Sequence, residues 1–365
     1  ESCPLRAGLT RRPLPVKTAH AASSVRMEAA AGAKSRRGAS DFPCFVEGHR
    51  VHFAAMCRFR SSVLSSFFVG LLVLTGCDTE KLAADSTAEL FGRAAPGVEQ
   101  HWDYELVGKS FPASIIQLEG LLRIVPDNET IGMSLVAAYI GYGTGWIEDR
   151  VEVADFEDQW EEADHLRARA LVMYNRAWDL SKHFLRNRYP GFDDALKGGV
   201  DELDRWVREA FTEKEDAAIL LWSGASLGAR INMGMEDMDT VADLPLAKVL
   251  LSYSVELDPD FMFMIGQMTM ATLAASEFPP DMDRAKVLFD DTLEKTERRN
   301  LMVQLSMARY YAVNIGDHEL FRELLEEVLA AGDVLPEARL SNTLARRKAE
   351  RYLGRIDYFF SDLAE

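Results

Sequence analysis

A proline-containing turn recurs between helical stretches of this chain. Four such turns separate segments in which apolar residues return every three or four positions: RIVPDNE (123–129), RNRYPGFDD (186–194), ELDPDF (256–261) and DVLPEAR (333–339). A proline cannot continue the helix before it, but it fits the first turn of the helix after it. Helix, short proline turn and helix is the pattern of stacked antiparallel pairs such as tetratricopeptide repeats.

The apolar stripes themselves cover most of the chain after residue 100. Typical stripes are Leu118, Leu121, Leu122 and Val125, and later Phe321, Leu324, Leu325, Val328 and Leu329. No segment alternates apolar and polar residues as a half-buried strand would. A single helix pair cannot bury its own stripe, so neighbouring pairs must stack. We therefore predict an all-α fold over residues 101–365, in which degenerate tetratricopeptide-like hairpin repeats stack as an α-solenoid.

An uncharged, largely apolar run occupies residues 63–75, shortly after Arg58 and Arg60. Its 13 residues would rise only about 20 Å as a helix, which is short of the roughly 30 Å hydrocarbon core of a bilayer. A positive start, a short apolar middle and small residues at the end are typical of a secretory signal. A buried core helix with a chance cysteine is the alternative interpretation.

The run ends in Leu-Thr-Gly-Cys at residues 74–77, which resembles the lipobox of bacterial lipoproteins. In that family the signal is cut before the cysteine, and the cysteine thiol and the new amino terminus are both acylated. More than one acyl chain makes such an anchor stable. We predict that residues 56–76 are a lipoprotein signal peptide and that Cys77 is the lipidation site, which attaches the protein to the lipid bilayer. Asp78 resembles an inner-membrane retention signal of enterobacterial lipoproteins, and the choice of membrane stays open.

The segments on either side of the signal complete the predicted organisation. Residue 1 is Glu, and residues 1–55 are rich in Arg, Ala, Ser and Gly without a sustained apolar period. We expect Met56 to be the initiator and residues 1–55 to be disordered, mis-assigned upstream sequence. Residues 77–100 show a weak helical tendency around Lys81–Phe91, and we predict that they form a membrane tether.

The charge of the predicted mature chain excludes one class of partner. Residues 1–76 hold 11 of the 41 Lys and Arg and 4 of the 58 Asp and Glu, which leaves 30 against 54 in residues 77–365. So negative a surface repels nucleic acid. Of the four cysteines only Cys77 lies beyond residue 76, so no disulfide is available to the predicted mature protein.

Longer stretches resemble a known family. FPASIIQLEGLLRIVPDNETIGMSLVAAYIGYGTGWIE (111–148), RRNLMVQLSMARYYAVNIGDHELFRELLEEVLAAGD (298–333) and ARLSNTLARRKAERYLGRIDYFF (338–360) are similar to the T component, TatT, of tripartite ATP-independent periplasmic (TRAP) transporter systems. The resemblance implies a periplasmic lipoprotein of helical repeats, a homotrimer with an apolar central channel. It also implies a periplasmic solute-binding protein as partner and a small hydrophobic ligand.

Aromatic residues are the candidates for the wall of that channel. Three of them follow one helical face beside the glycines of GYGTGW (141–146), and two tryptophans stand farther on: Tyr139, Tyr142, Trp146, Trp178 and Trp222. Ordinary packing between helices is the alternative. The glycines indicate a bend or a close approach of another chain segment, because three of them weaken a helix by about 1 kcal/mol each relative to Ala.

Motifs for catalysis or metal binding are weak. GASLG (224–228) fits the G-x-S-x-G elbow around a nucleophile, here Ser226, but the elbow needs a strand before it and this segment has a helical pattern. The Met-rich stretch 261–270 is predicted as pliable core, with only Met264 and Met268 on one helical face. The acidic run 148–164 is predicted as a solvated connection between repeats. The four histidines after residue 76 form no ligand spacing.

We therefore predict a non-enzymatic lipoprotein without cofactor or metal, anchored in the periplasm, that serves as the T component of a TRAP system. The rival is a tetratricopeptide-like scaffold lipoprotein for envelope protein assembly, without a small ligand. A lipid-anchored esterase using Ser226 is a third option.

Overall fold

The computed structural model describes residues 79–360, so the predictions for residues 1–55, for the signal 56–76 and for Cys77 lie outside the described residues. Within residues 79–360 every regular element is helical, which confirms the all-α prediction. The first helices are α1 (Thr79–Ala94), α2 (Pro96–Glu99), α3 (Tyr104–Ile124), α4 (Glu129–Tyr142), α5 (Glu148–Phe156), α6 (Trp160–Arg188), α7 (Phe192–Gly198), α8 (Val200–Ala210) and α9 (Ala217–Met233). The later ones are α10 (Met238–Val241), α11 (Leu244–Leu257), α12 (Ile265–Ser276), α13 (Met282–Lys295), α14 (Leu301–Ser306), α15 (His318–Ala330), α16 (Arg339–Leu353) and α17 (Ile356–Phe359).

Four short helices of other types join these elements. The π-helical turn π1 (Gly143–Ile147) connects α4 to α5, and π2 (Met307–Ala312) continues α14. Two 3₁₀ turns, Lys214–Asp216 and Pro336–Ala338, precede α9 and α16. π-Helical turns are rare in proteins overall, but those that occur are often found at functional sites.

All four predicted proline turns lie between helices. Residues 123–129 join α3 to α4, 186–194 join α6 to α7, 256–261 join α11 to α12, and 333–339 join α15 to α16. In the first turn the Asn128 side chain caps α4 by accepting a 3.0 Å hydrogen bond from the Ile131 amide. Such a cap satisfies one of the free amides at a helix start and stabilises it by about 1 kcal/mol.

The helices pack on their neighbours in chain order, as a solenoid of hairpins requires. α3 packs on α4, α4 on α6, α6 on α9, α9 on α11, α11 on α12 and α12 on α13. The apolar stripes meet in these contacts, and side chains such as Leu166, Phe289 and Phe321 are at most 1% exposed. Each large apolar side chain buried in this way stabilises the fold by about 1.5–3 kcal/mol. The stacked hairpins predicted from the apolar period are therefore confirmed.

The end of the stack returns to its beginning. α16 packs on α2 and α3, although more than 200 residues separate them in the chain. The Ser341 hydroxyl donates a 2.8 Å hydrogen bond to Glu99, and the Arg339 guanidinium donates a 2.9 Å bond to the carbonyl of Gln100. Leu340 packs between Tyr104 and Val107. We call the contact of α16 with α2, α3 and α5 the closing seam.

The helical tendency predicted around Lys81–Phe91 is confirmed, because these residues belong to α1. Ala84 and Ala88 are 4% and 2% exposed, and α1 packs on α3 and α4. The division into signal, tether and repeat domain remains a prediction.

The Met-rich stretch differs in part from its prediction. Met264 and Met270 are buried, which agrees with a role as core residues. However, Met264 does not share a helix with Met268, since α12 begins only at Ile265. Met262, Phe263 and Met264 have φ of 46°, 57° and 65°, a left-handed backbone conformation that residues other than glycine seldom adopt.

Within residues 79–360, no helix is long and apolar enough to cross a membrane.

Candidate functional site

The closing seam brings carboxylates of α5 against cations of α16. Glu148 and Glu152 stand four residues apart, and so share one side of α5, with Asp149 beside them. From α16, the Arg351 guanidinium donates hydrogen bonds of 2.6 Å to Asp149 and 2.8 Å to Glu152. The Lys348 ammonium lies 3.3 Å from Glu152. The seam is thus held by charge as well as by apolar contacts around Leu340 and between Tyr352 and Phe156 of α5.

These ion pairs are largely removed from solvent. The side chains of Arg351, Asp149 and Glu152 are 17%, 8% and 21% exposed. Burial by itself would raise the pKa of Glu152, but Lys348 and Arg351 outweigh it and hold that pKa below its usual value. The Tyr352 hydroxyl adds a 2.7 Å hydrogen bond to the same carboxylate. Glu152 is therefore an ionised group held by three side chains of α16, Lys348, Arg351 and Tyr352.

Glu148 has the opposite balance of forces. Burial raises the pKa of its carboxyl, and the negative charge of Glu152 raises it further. The hydrogen bond donated by the Tyr174 hydroxyl and the charge of Lys348 oppose this shift without cancelling it. Tyr174 reaches Glu148 because residue 143 is Gly: a Cβ there would lie 2.5 Å from the Tyr174 ring. The close approach predicted for the glycines of 141–146 is confirmed at this position.

Tyr310 on π2 lies near the charged groups of the closing seam. It is 37% exposed, yet desolvation by the surrounding protein raises the pKa of its hydroxyl. Arg309 and Lys348 lower this pKa, and Glu148 and Glu152 raise it, so all four groups lie within electrostatic range of Tyr310. We call Glu148, Lys348 and Tyr310 the seam polar cluster. Glu148 offers an acceptor, and Lys348 and Tyr310 offer donors.

An aromatic cluster adjoins the charged groups. Tyr142 and Trp146 stack with ring centroids 5.9 Å apart, Phe111 lies 5.3 Å from Trp146, and Tyr104 lies 4.9 Å from it. The Arg347 guanidinium of α16 covers the Tyr104 ring at 4.6 Å. π1 carries Trp146 into this cluster, and Gly108 on α3 makes room for the indole. Apolar rings beside a few fixed polar groups are typical of sites for small amphipathic molecules.

The predicted channel residues are divided between this cluster and the packed core. Tyr142 and Trp146 belong to the cluster. Tyr139 is 3% exposed and donates a hydrogen bond to Glu119, and burial raises its pKa to about 12. Trp222 on α9 is half-buried against two core regions, one of which contains Tyr139 and Tyr142, and Trp178 is buried in a different core region. The aromatic cluster itself therefore holds two of the five residues, and the role of all five in ligand binding remains a prediction.

A surface groove lies elsewhere on the protein. It is a groove of about 700 Å³ between α8, α11 and the segment around Phe278, lined by Val200, Val249, Met270, Lys248, Glu277 and Arg284. None of the five predicted channel residues lines it. Among its lining residues, Lys248 and Glu277 form an ion pair, so these two charged groups already have partners within the chain.

Ser226 has the surroundings of a packing residue. It lies within α9, is fully buried, and donates a 2.8 Å hydrogen bond to the Ser223 carbonyl of its own helix. Its other polar neighbour is the Ser181 hydroxyl at 3.4 Å. No histidine or carboxylate contacts it among the hydrogen bonds of residues 79–360, so the described part of the chain offers it no general base. The same part of the chain holds no group of three His, Cys, Asp or Glu arranged for a metal ion.

The interpretation of the acidic run 148–164 as a solvated connection is wrong for its first residues. Asp149 and Glu152 are held inside the closing seam because Lys348 and Arg351 neutralise them, and Glu148 accepts a hydrogen bond from the Tyr174 hydroxyl. The sequence does contain acidic residues at helical spacing near residue 150 and basic residues at helical spacing near residue 350, which could have suggested this ion pairing. Nothing in the local sequence pairs segments that are 200 residues apart.

Comparison with known proteins agrees with this architecture. A comparison with curated protein sequences finds no significant match. The family model described as TRAP transporter T-component matches residues 100–360, which is well over half of the chain and includes α3 to α17. The chain belongs to the TRAP transporter T-component family.

Proposed function

We propose that this protein is the accessory T component of a TRAP-type transport system, a periplasmic lipoprotein that binds the solute-binding protein of that system. The family match over residues 100–360 carries the proposal. Members of the family are transport accessory components, so an accessory role in TRAP transport follows from the family. The partner and the location are our extension of it.

The seam polar cluster supports a role for a ligand. It combines the acceptor Glu148 with the donors Lys348 and Tyr310, and Trp146 and Tyr142 lie close to Glu148 in the chain. A small molecule with an apolar body and one polar end would satisfy both kinds of group. We propose that such a ligand passes between this cluster and the solute-binding protein.

Acylated Cys77 would hold this assembly at the membrane. The lipobox-like ending 74–77 supports the anchor, and residues 77–365 contain no second cysteine with which Cys77 could pair within the predicted mature chain. A trimer is the assembly that the family resemblance implies.

Native mass spectrometry of the acylated protein in detergent tests the proposal. We expect a trimer that binds the solute-binding protein of the same TRAP system and carries a small hydrophobic molecule released on denaturation. A glutamine variant of Glu148 and a phenylalanine variant of Tyr310 should reduce the ligand-bound fraction, because the first removes the carboxylate of the seam polar cluster and the second removes a hydroxyl donor. The matched control is Trp160→Phe, an exposed residue at the start of α6.

The scaffold alternative makes a different prediction in the same experiment. A scaffold would co-purify with envelope assembly proteins and would carry no small molecule. A monomer that carries no small molecule and does not bind the solute-binding protein would contradict the proposed function.

A further inference from the structure

The first helix is fixed to the body of the protein. Ala84 and Ala88 pack on the core, and Asp85 accepts a 2.7 Å hydrogen bond from the Asn128 side chain at the start of α4. α1 passes into α2 almost without a break, since Ala95 has helical torsions (φ −53°, ψ −41°) and its amide donates to Phe91. Residues 84–99 therefore offer no hinge.

The predicted anchor lies very close to this fixed helix. α1 begins at Thr79, two residues after Cys77 in the chain. Two residues span at most about 7 Å. If acyl chains on Cys77 enter a bilayer, the start of α1 must lie at the bilayer surface.

The outward side of α1 has a composition that suits such a position. At about 100° per residue, Leu82, Ala83, Ser86, Leu90, Arg93 and Ala94 fall within one third of the helix circumference, and all six are exposed. We call this set the α1 outer face. Leu82 and Leu90 are each 63% exposed, and the only cation of the face is Arg93. A single carboxylate, Glu89, stands at its edge.

The charge of this face contrasts with the rest of the chain. The full sequence carries a net charge of −17, which would repel anionic lipid from most surfaces. Exposed leucines with a basic residue are instead typical of helices that lie in a membrane interface. Trp102, 72% exposed just after α2, adds a residue type that is enriched at that depth.

We propose that the α1 outer face lies on the lipid bilayer, so that the helical body is docked on the membrane rather than suspended from a flexible tether. The inference rests on the proposed acylation of Cys77, because the short span to α1 fixes the occupant of the face as lipid. The two exposed leucines enter the interface, Arg93 faces lipid phosphate, and the acidic surfaces point away.

A fluorescent label on the α1 outer face tests the docking. The predicted mature chain has no cysteine besides Cys77, so Ser86→Cys introduces one free thiol on the face, and Glu323→Cys on α15 introduces a matched one elsewhere on an exposed helix. Each acylated protein is labelled with the dye NBD and placed in vesicles of phosphatidylethanolamine and phosphatidylglycerol, with or without brominated acyl chains. We expect blue-shifted emission and strong bromolipid quenching at position 86, and water-like emission without quenching at position 323.

The outcomes separate this inference from the proposed function. Metabolic labelling with an alkyne fatty acid first establishes whether Cys77 is acylated, with Cys77→Ser as the control. If Cys77 does not incorporate the fatty acid, the proposed anchor and the proposed docking are both overturned. With label but without bromolipid quenching at position 86, the docking alone is overturned, whether the dye reports water or a protein partner. Equal quenching at both positions also overturns it, because the body would then have no fixed orientation.

Discussion

Replacement of Arg351 by Met removes the cation that two carboxylates of the closing seam share. Arg351 is 17% exposed and its partner Asp149 is 8% exposed, so the substitution leaves a buried negative charge without its partner. Breaking a buried ion pair from one side costs about 3–5 kcal/mol. Lys348 remains 3.3 Å from Glu152 and still neutralises that second carboxylate. We therefore expect a loss at the lower end, about 3 kcal/mol.

A double-mutant cycle with Asp149→Asn separates the charge from the packing. The double variant contains neither the cation nor the carboxylate that needs it, so its loss should be smaller than that of Arg351→Met alone. The coupling energy for such a buried pair is expected to lie within about 0.5–3 kcal/mol. Denaturation by urea, followed through tryptophan fluorescence at pH 7.5, measures each free energy of unfolding.

The control lies one residue from Asp149 on the same helix. Arg150 pairs with Glu162 at 2.7 Å, but the two side chains are 57% and 44% exposed. An exposed pair contributes about 0–1 kcal/mol, so Arg150→Met should change stability by less than 1 kcal/mol. If Arg351→Met were no more destabilising than Arg150→Met, the closing seam would not be held by its buried charges and our account of it would be wrong.

Three further predictions concern single substitutions. Gly143→Ala should destabilise the protein by about 1–3 kcal/mol, because its Cβ would meet the Tyr174 ring, while Gly145→Ala, with open space at that position, should change the melting temperature little. Glu148→Gln should stabilise the protein at neutral pH, because the carboxyl pKa is raised in the folded protein, so that wild-type stability falls as the pH rises from the ordinary pKa near 4 to the folded pKa. The melting temperatures of wild type and variant should converge at acid pH, and a difference that does not depend on pH would contradict the pKa argument. Ser226→Ala should leave ligand binding unchanged and any hydrolysis of a model ester at background, because Ser226 bonds only within the packed helices; loss of a measurable esterase rate would revive the catalytic interpretation.

The helices were predictable because their signal is local. Apolar residues at three- and four-residue spacing define a buried side within one helix, and a proline such as Pro126 or Pro336 excludes continuation of the helix before it. Both prolines stand between helices in the structure. These constraints act over a few residues, so they can be read without knowing the tertiary contacts.

The π-helical turns and the closing seam were not predictable in the same way. An extra residue in a helical turn, as in 143–147, changes no pattern that periodicity detects, although the glycines did indicate a special segment. Likewise, Glu152 has the sequence context of a solvated charge. Its burial depends on Arg351, which the whole stack carries to within hydrogen-bond distance.

Return of α16 to the start of the stack brings together charged groups from elements that lie far apart in the chain. Glu148, Tyr310 and Lys348 belong to α5, π2 and α16, yet Lys348 lowers the pKa of both other groups. Burial nevertheless raises the pKa of Glu148 and of Tyr310. The buried charge would be costly without the cations of α16, although α16 also packs Ala345, Ala349 and Tyr352 into a core cluster with Phe156 of α5. The ion pairs that close the stack therefore make it possible to keep charged groups inside it.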